Sequence, residues 1–222
     1  DFARAVAEVL AGSGIRAFLT NRAEPTPVNS YAILPLKTAG GIWITASHNP
    51  STDNGFKLRS SYGGAAAPET LTQVEHHIAA AQAAGRVQRM DYDVGIKSGM
   101  IQLFDAREPY LEQMHRLIDI QPIKDAGLRF VADPMWGVAM GWWPMLLAGG
   151  RTTVHEIHNV RNPLFPGMRR PEPIEENLQG MFHAVLHRRV DVTIRIVSQQ
   201  VPHSMVAHEG DLNRFPRLVE QE

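Results

Sequence analysis

The chain has no cysteine among its 222 residues. That absence excludes a disulfide scaffold, a thiol nucleophile, a thiolate zinc site and an iron–sulfur cluster, and it leaves any metal to oxygen or imidazole. An excess of charge is missing too: 22 Lys and Arg against 23 Asp and Glu leave a net −1. No overall field exists to hold a nucleic-acid backbone or an anionic membrane surface, so partners must be recognised locally. No apolar run approaches the roughly 18 residues needed to cross a bilayer, the longest being cut by charge, Gly or Pro within about ten. No leader pattern is legible: Asp1 already stands inside a helical pattern, which reads as the middle of something longer. What remains, 44% hydrophobic and 20% charged, suits one large globular domain or two modest ones.

The apolar pattern alternates between helix and strand. Phe2, Ala3, Val6, Val9 and Leu10 recur at three and four residues, and Gly12-Ser13-Gly14 ends that helix where a left-handed residue is wanted. Ile15–Thr20 reads as a strand, Pro25-Thr26-Pro27 as a turn, and Val28–Leu36 as a second helix. Ile42-Trp43-Ile44-Thr45 is the continuous apolar run of a strand buried on both faces. Further on, helices are predicted at about Pro68–Ala84 and Phe104–Ile118, with a polar stretch around Asp91 and Asp93 between them. Gln121-Pro122 reads as a boundary. After it come a strand at Leu128–Ala132, a helix at Gly137–Leu147, a strand at Thr152–Ile157, a helix at Glu175–Leu186 and a strand at Val190–Val197. Two consecutive α/β layers are the economical reading: a three-layer α/β/α domain over residues 1–121 and a second over 122–222, with mixed, mostly parallel sheets.

The chemistry concentrates after the buried strand. Thr45-Ala46-Ser47-His48-Asn49-Pro50 places a polar turn at the strand's carboxyl end, where open α/β sheets hold ligands. Lys57 follows across Asp53-Asn54-Gly55. A hydroxyl, an imidazole and an ammonium on one loop suit phosphoryl transfer, the lysine offering a point charge to phosphate oxygens. Each residue is also turn-friendly, so a plain turn is the competing reading.

Thr-Ala-Ser-His-Asn-Pro followed by Asp-Asn-Gly-Phe-Lys resembles the active-serine loop of the α-D-phosphohexomutases, the phosphoglucomutase and phosphomannomutase family. The resemblance extends to Pro25-Thr26-Pro27, to Val131–Gly137, and to Arg161–Gly167 running into Pro171-Glu172-Pro173-Ile174-Glu175-Glu176-Asn177-Leu178. It covers most of residues 1 to about 194. It implies a cytoplasmic isomerase whose Ser47 carries a phosphoryl group, gives it to a hexose phosphate to make a hexose 1,6-bisphosphate, and takes the other phosphoryl group back. Phosphate thereby moves between O1 and O6. His48 and Lys57 would stand beside the transferring group, with Lys57 the better candidate for proton transfer. A divalent cation, Mg²⁺, would meet the phosphoryl oxygens at Ser47.

Family members supply that cation from an Asp-Gly-Asp-x-Asp-Arg loop, and here the chain departs. Arg195–Gln200 carries no carboxylate, and only at Glu209-Gly210-Asp211-Leu212-Asn213-Arg214 does the rhythm return. Glu209, Asp211 and Asn213 would then meet Mg²⁺ with one less formal charge, and Arg214 would face phosphate; alternatively the segment is a solvated polar tail. Family chains are also about twice this long, and their later domains read the sugar. A shortened, catalytically impaired homologue that binds a sugar phosphate or a protein is therefore the alternative. Other signals are weaker. His183 and His187 have the spacing of zinc ligands without a third partner, Gly137–Gly141 lacks the rest of a dinucleotide fingerprint, and no Gly-x-Ser-x-Gly elbow supports an esterase.

Overall fold

The computed structural model describes residues 2–188, 190–195 and 204–208. They form two compact units: one holds the chain through Ile44, Phe56–Ala106 and a strand at Ser204–His208, the other Thr45–Gly55 and the described residues from Arg107 to Arg195.

In the first unit, helix α1 (Phe2–Gly12) is followed by β1 (Ala17–Thr20), α2 (Thr26–Leu36), β2 (Thr38–Ile44), β3 (Phe56–Ser60), α3 (Pro68–Ala84), α4 (Tyr92–Ser98) and β4 (Ile101–Phe104). The buried stripe of α1 is Ala3, Ala7 and Ala11, residues small enough to bring the helix close against Ala17, Leu19, Ile44 and Ile101 of the sheet. On the same helix Glu8 is buried, and its carboxylate takes Arg4 Nε at 3.2 Å and Arg89 Nε at 2.6 Å. Along β2 the side chains alternate. Ile42 and Ile44 join the α1 cluster, while Trp43 lies over the Cα of Gly41, where a Cβ would come 2.3 Å from the indole. Only glycine leaves room for that ring. β1 runs parallel to β4, and β2 pairs antiparallel with β3. Between β1 and β2 lies β8 (Ser204–His208), antiparallel to both, giving the order β3-β2-β8-β1-β4.

The second unit has α5 (Arg107–Leu117), α6 (Gln121–Asp125), β5 (Arg129–Asp133), α7 (Trp142–Leu146), β6 (Thr153–Glu156), one turn of 3-10 helix at Glu175–Asn177, α8 (Gln179–Arg188) and β7 (Val192–Arg195). Its sheet is parallel throughout, in the order β6-β5-β7. The central strand sorts its residues by face: Phe130 packs with Ile120, Leu147 and Trp143, and Val131 with Met181 and Ala184 of α8. Helices on both faces of a central sheet are the three-layer arrangement expected.

Several elements differ from expectation. Pro122, read as a boundary, occupies the first turn of a further helix, α6, where a missing N–H costs nothing. The polar stretch at Asp91 is the start of α4, Asp91 accepting the N–H groups of Asp93 and Val94 at 2.9 and 3.1 Å. The helix expected from Gly137 begins only at Trp142, directly after Gly141, whose left-handed backbone angle interrupts it.

Candidate active site

Strand β2 ends at Ile44 and hands the chain to a loop pinched at its base. Thr45 donates its N–H to Gly55 O at 2.9 Å, and a Cβ on Gly55 would lie 2.5 Å from Thr45 O, so the two ends meet only because residue 55 lacks a side chain. Inside the loop Thr45 Oγ1 accepts the Ser47 N–H at 3.0 Å, and Ala46 O accepts that of Asn49 at 3.1 Å. These bonds hold Ser47 at φ 59°, in the left-handed region. For a residue with a Cβ that conformation costs roughly 1–2 kcal/mol, and such strain tends to gather at functional positions.

The half-buried Ser47 hydroxyl lies 3.3 Å from Nδ1 of His48. The other ring nitrogen, Nε2, lies 3.1 Å from Oε1 of Glu172, and Oε2 of the same carboxylate takes Arg170 Nε at 2.7 Å. A line of polar groups therefore runs from serine through imidazole and carboxylate to guanidinium. Its far end is anchored by Asn177, a buried residue whose amide donates to the carbonyls of Arg170 at 2.9 Å and of Glu172 at 2.8 Å. Those two bonds clamp the Pro171-Glu172-Pro173 turn. Sequence reasoning quoted this segment but assigned it no role, so Glu172, Arg170 and Asn177 were missed; the signal available was the motif itself.

Of the other expected site residues, Lys57 is half-buried on β3, opposite Trp43 of β2, in the first unit, whereas Ser47 and His48 belong to the second. Glu209, Asp211, Asn213 and Arg214 lie outside the described residues. Among the described residues no group of three or more His, Asp or Glu could hold a metal ion. The carboxylate that meets the imidazole beside the serine, Glu172, has both oxygens engaged. The described residues alone therefore do not fit Mg²⁺. His183 and His187 lie side by side on α8, 4.2 Å between ring centroids with the rings tilted by 54°.

A second imidazole–carboxylate pair sits at the carboxyl ends of β5 and β6. His158 Nδ1 lies 3.0 Å from Oδ1 of the fully buried Asp133, which also accepts the Met135 N–H at 2.9 Å. Trp136 packs against the imidazole, 4.8 Å between ring centroids. Nearby on β6, burial raises the carboxyl pKa of Glu156, partly opposed by the Gly141 N–H that it accepts, and burial with Arg188 lowers that of His155. A separate cavity of about 640 Å³ in the first unit, lined by Ile42, Leu58, Arg59 and Val74 among others, includes neither Ser47 nor Lys57.

Comparison with known proteins decides what this loop belongs to. Residues 1–85 match the family model described as phosphoglucomutase/phosphomannomutase, alpha/beta/alpha domain I, and residues 108–221 match the model of its alpha/beta/alpha domain II. The chain belongs to the phosphoglucomutase/phosphomannomutase family. It is 29% identical to a probable phosphomannomutase of Haemophilus influenzae over 98% of its own length and 42% of that protein's. It is also 29% identical to a probable phosphoglucosamine mutase of Methanothermobacter thermautotrophicus, over 89% of this chain and 38% of the relative. A crystal structure described as a putative phosphomannomutase from Thermus thermophilus superimposes with a TM-score of 0.73 at 31% identity, covering 87% of this chain and 42% of that one. The chain thus spans about two fifths of the length of these mutase-family relatives. No helix among the described residues is long and apolar enough to cross a membrane.

Proposed function

We propose that this chain is the phosphoryl-carrying segment of a cytoplasmic phosphohexomutase, an isomerase that moves phosphate between O1 and O6 of a hexose phosphate through a hexose 1,6-bisphosphate. Ser47 is the carrier. The observation that supports this is the strained backbone of Ser47 at the mouth of the pinched loop, φ 59°, with its hydroxyl 3.3 Å from an imidazole. The strained backbone fixes where the hydroxyl stands, beside a group able to take its proton. Lys57 is the proposed acid for the sugar oxygen. Residues 1–121 are the proposed domain I and 122–222 the proposed domain II, the family matches themselves ending at 85 and beginning at 108. Glu209, Asp211 and Asn213, with the phosphoryl oxygen at Ser47, are the proposed ligands of Mg²⁺, and Arg214 the proposed phosphate contact. Bound there, the cation would neutralise charge on the phosphoryl oxygens.

The test is intact mass after incubation with glucose 1,6-bisphosphate and Mg²⁺. A phosphate-sized gain that disappears in Ser47→Ala supports the carrier role. No gain in the wild-type chain favours the alternative, a sugar-phosphate or protein-binding module without turnover. That alternative draws on the chain's spanning only about two fifths of the relatives' length, since catalysis by the longer proteins would draw on remote binding energy from parts lying beyond the match.

A further inference from the structure

We infer that Glu172 is a positioning residue for the serine's base: it selects the face and tautomer that His48 presents to Ser47, with Arg170 and Asn177 holding the carboxylate in place. The chemistry rests on the carrier reading above; the geometry does not. A neutral imidazole has one N–H and one lone pair, and its hydrogen-bond partners choose which nitrogen has which. An ionised carboxylate accepts only. With Glu172 Oε1 3.1 Å from Nε2, the proton belongs on Nε2, which leaves the lone pair of Nδ1 for the Ser47 hydroxyl at 3.3 Å. Were the carboxylate absent, nothing in the ring's other contacts would enforce that choice, because the His48 side chain is 45% exposed and free to bond water.

The carboxylate itself is constrained from three directions. Arg170 Nε takes Oε2 at 2.7 Å, and prolines on either side restrict the backbone of Glu172. The buried Asn177 amide then donates to the carbonyls of both Arg170 and Glu172. A surface ion pair without such scaffolding would give the imidazole little direction.

In the step this serves, Ser47 Oγ attacks the phosphorus of a phosphate ester. The serine O–P bond forms as the bond from phosphorus to the sugar oxygen breaks, and the serine proton passes to Nδ1. The imidazolium charge is then shared with Glu172, while the departing sugar oxygen takes a proton from a second acid, Lys57 or water. When phosphoserine gives its group up, the same proton returns from Nδ1 to Oγ.

The decisive experiment reads the ring directly. In a uniformly ¹⁵N-labelled chain, with the His48 signals assigned by their loss in His48→Gln, the neutral wild-type ring should carry its proton almost wholly on Nε2. Glu172→Ala should relax it toward the mixed tautomers of a free imidazole, and Glu172→Asp should restore most of the preference. In parallel, the rate of phosphoryl gain from glucose 1,6-bisphosphate should fall about ten- to a hundredfold in Glu172→Ala, as when a carboxylate that orients a metal-bound histidine is lost, with partial recovery in Glu172→Asp. An unchanged ring in Glu172→Ala, or a wild-type ring protonated on Nδ1, overturns the inference. If the wild-type chain gains no phosphoryl group, the carrier reading fails, and the ring spectrum still decides the positioning claim.

Discussion

Two imidazole–carboxylate pairs lie in the second unit, and their difference separates a brace from a working group. Asp133 is built inward, beneath a His158 ring that is itself 25% exposed. The carboxylate is fully buried, it also holds the Met135 N–H, and the ring is packed by Trp136 with Gly180 against its edge. This pair ties the end of β5 to the residues following β6, a duty reinforced by Trp136 N–H donating to His158 O at 3.1 Å. His48 and Glu172 are built outward, 45% and 20% exposed, and the second nitrogen of the ring faces a hydroxyl on a strained turn. The same two functional groups thus differ in their surroundings. Burial of its carboxylate turns one pair into a structural tie, and exposure of the imidazole leaves the other a lone pair for chemistry.

Substitutions can break or sharpen that contrast. The largest effect is expected from Asp133→Ala, which strands a buried Met135 N–H and one nitrogen of His158. Loss of a buried charged acceptor of this kind costs on the order of 3 kcal/mol, read as a lowered denaturant midpoint. A midpoint indistinguishable from wild type would show that the inner pair is no brace. Next, Asn177→Ala removes a buried amide that serves two carbonyls, for about 2 kcal/mol. It should also slow phosphoryl gain at Ser47, because the turn carrying Glu172 loosens; destabilisation with unaltered labelling would detach the clamp from the site. By contrast Glu172→Ala should change stability by less than about 1 kcal/mol, as partly exposed ion pairs do, so that its effect falls on the tautomer and the labelling rate. An unfolding shift as large as that of Asp133→Ala would erase the distinction between the two pairs.

The smallest effect lies on an exposed rim. Arg129 donates to Asp191 through its backbone N–H at 2.9 Å and its guanidinium at 3.2 and 3.3 Å, and these bonds hold the Asp191 carboxyl below its ordinary value of 3.8. A carboxyl whose folded pKa is depressed adds stability above the unfolded value and loses it as pH falls through the folded one. Melting temperatures of wild type and Asp191→Asn should therefore differ slightly at neutral pH, wild type higher, and converge below pH 3.8. A gap that persists in acid would mean the aspartate acts through something other than its charge.

How much could be read beforehand follows the range of the interaction involved. The Ser47 loop was legible because its residues are contiguous and their turn chemistry is local, and the same holds for α2 and for α3, whose predicted span Pro68–Ala84 is the observed one. Strand β3, Phe56–Ser60, went unread although it is short and part-alternating, since its place depends on pairing with β2. α4 was passed over because its one clear signal, Asp91 as a cap, is as common in loops. Glu172 was quoted in its motif but not as a site residue: nothing near it in the chain says that its partner is a histidine beside Ser47.

The amino-acid order alone determined the alternation of helix and strand, the turn that carries Ser47 and the kinship those residues announce, because periodicity, capping and turn formation act over a few neighbours. The tertiary structure decided which carboxylate meets His48 and which is sealed beneath His158. It also decided that β8 lies between β1 and β2 and that Gly41 must make way for Trp43. Those outcomes depend on which distant surfaces come together, and distance in the chain carries no record of distance in space.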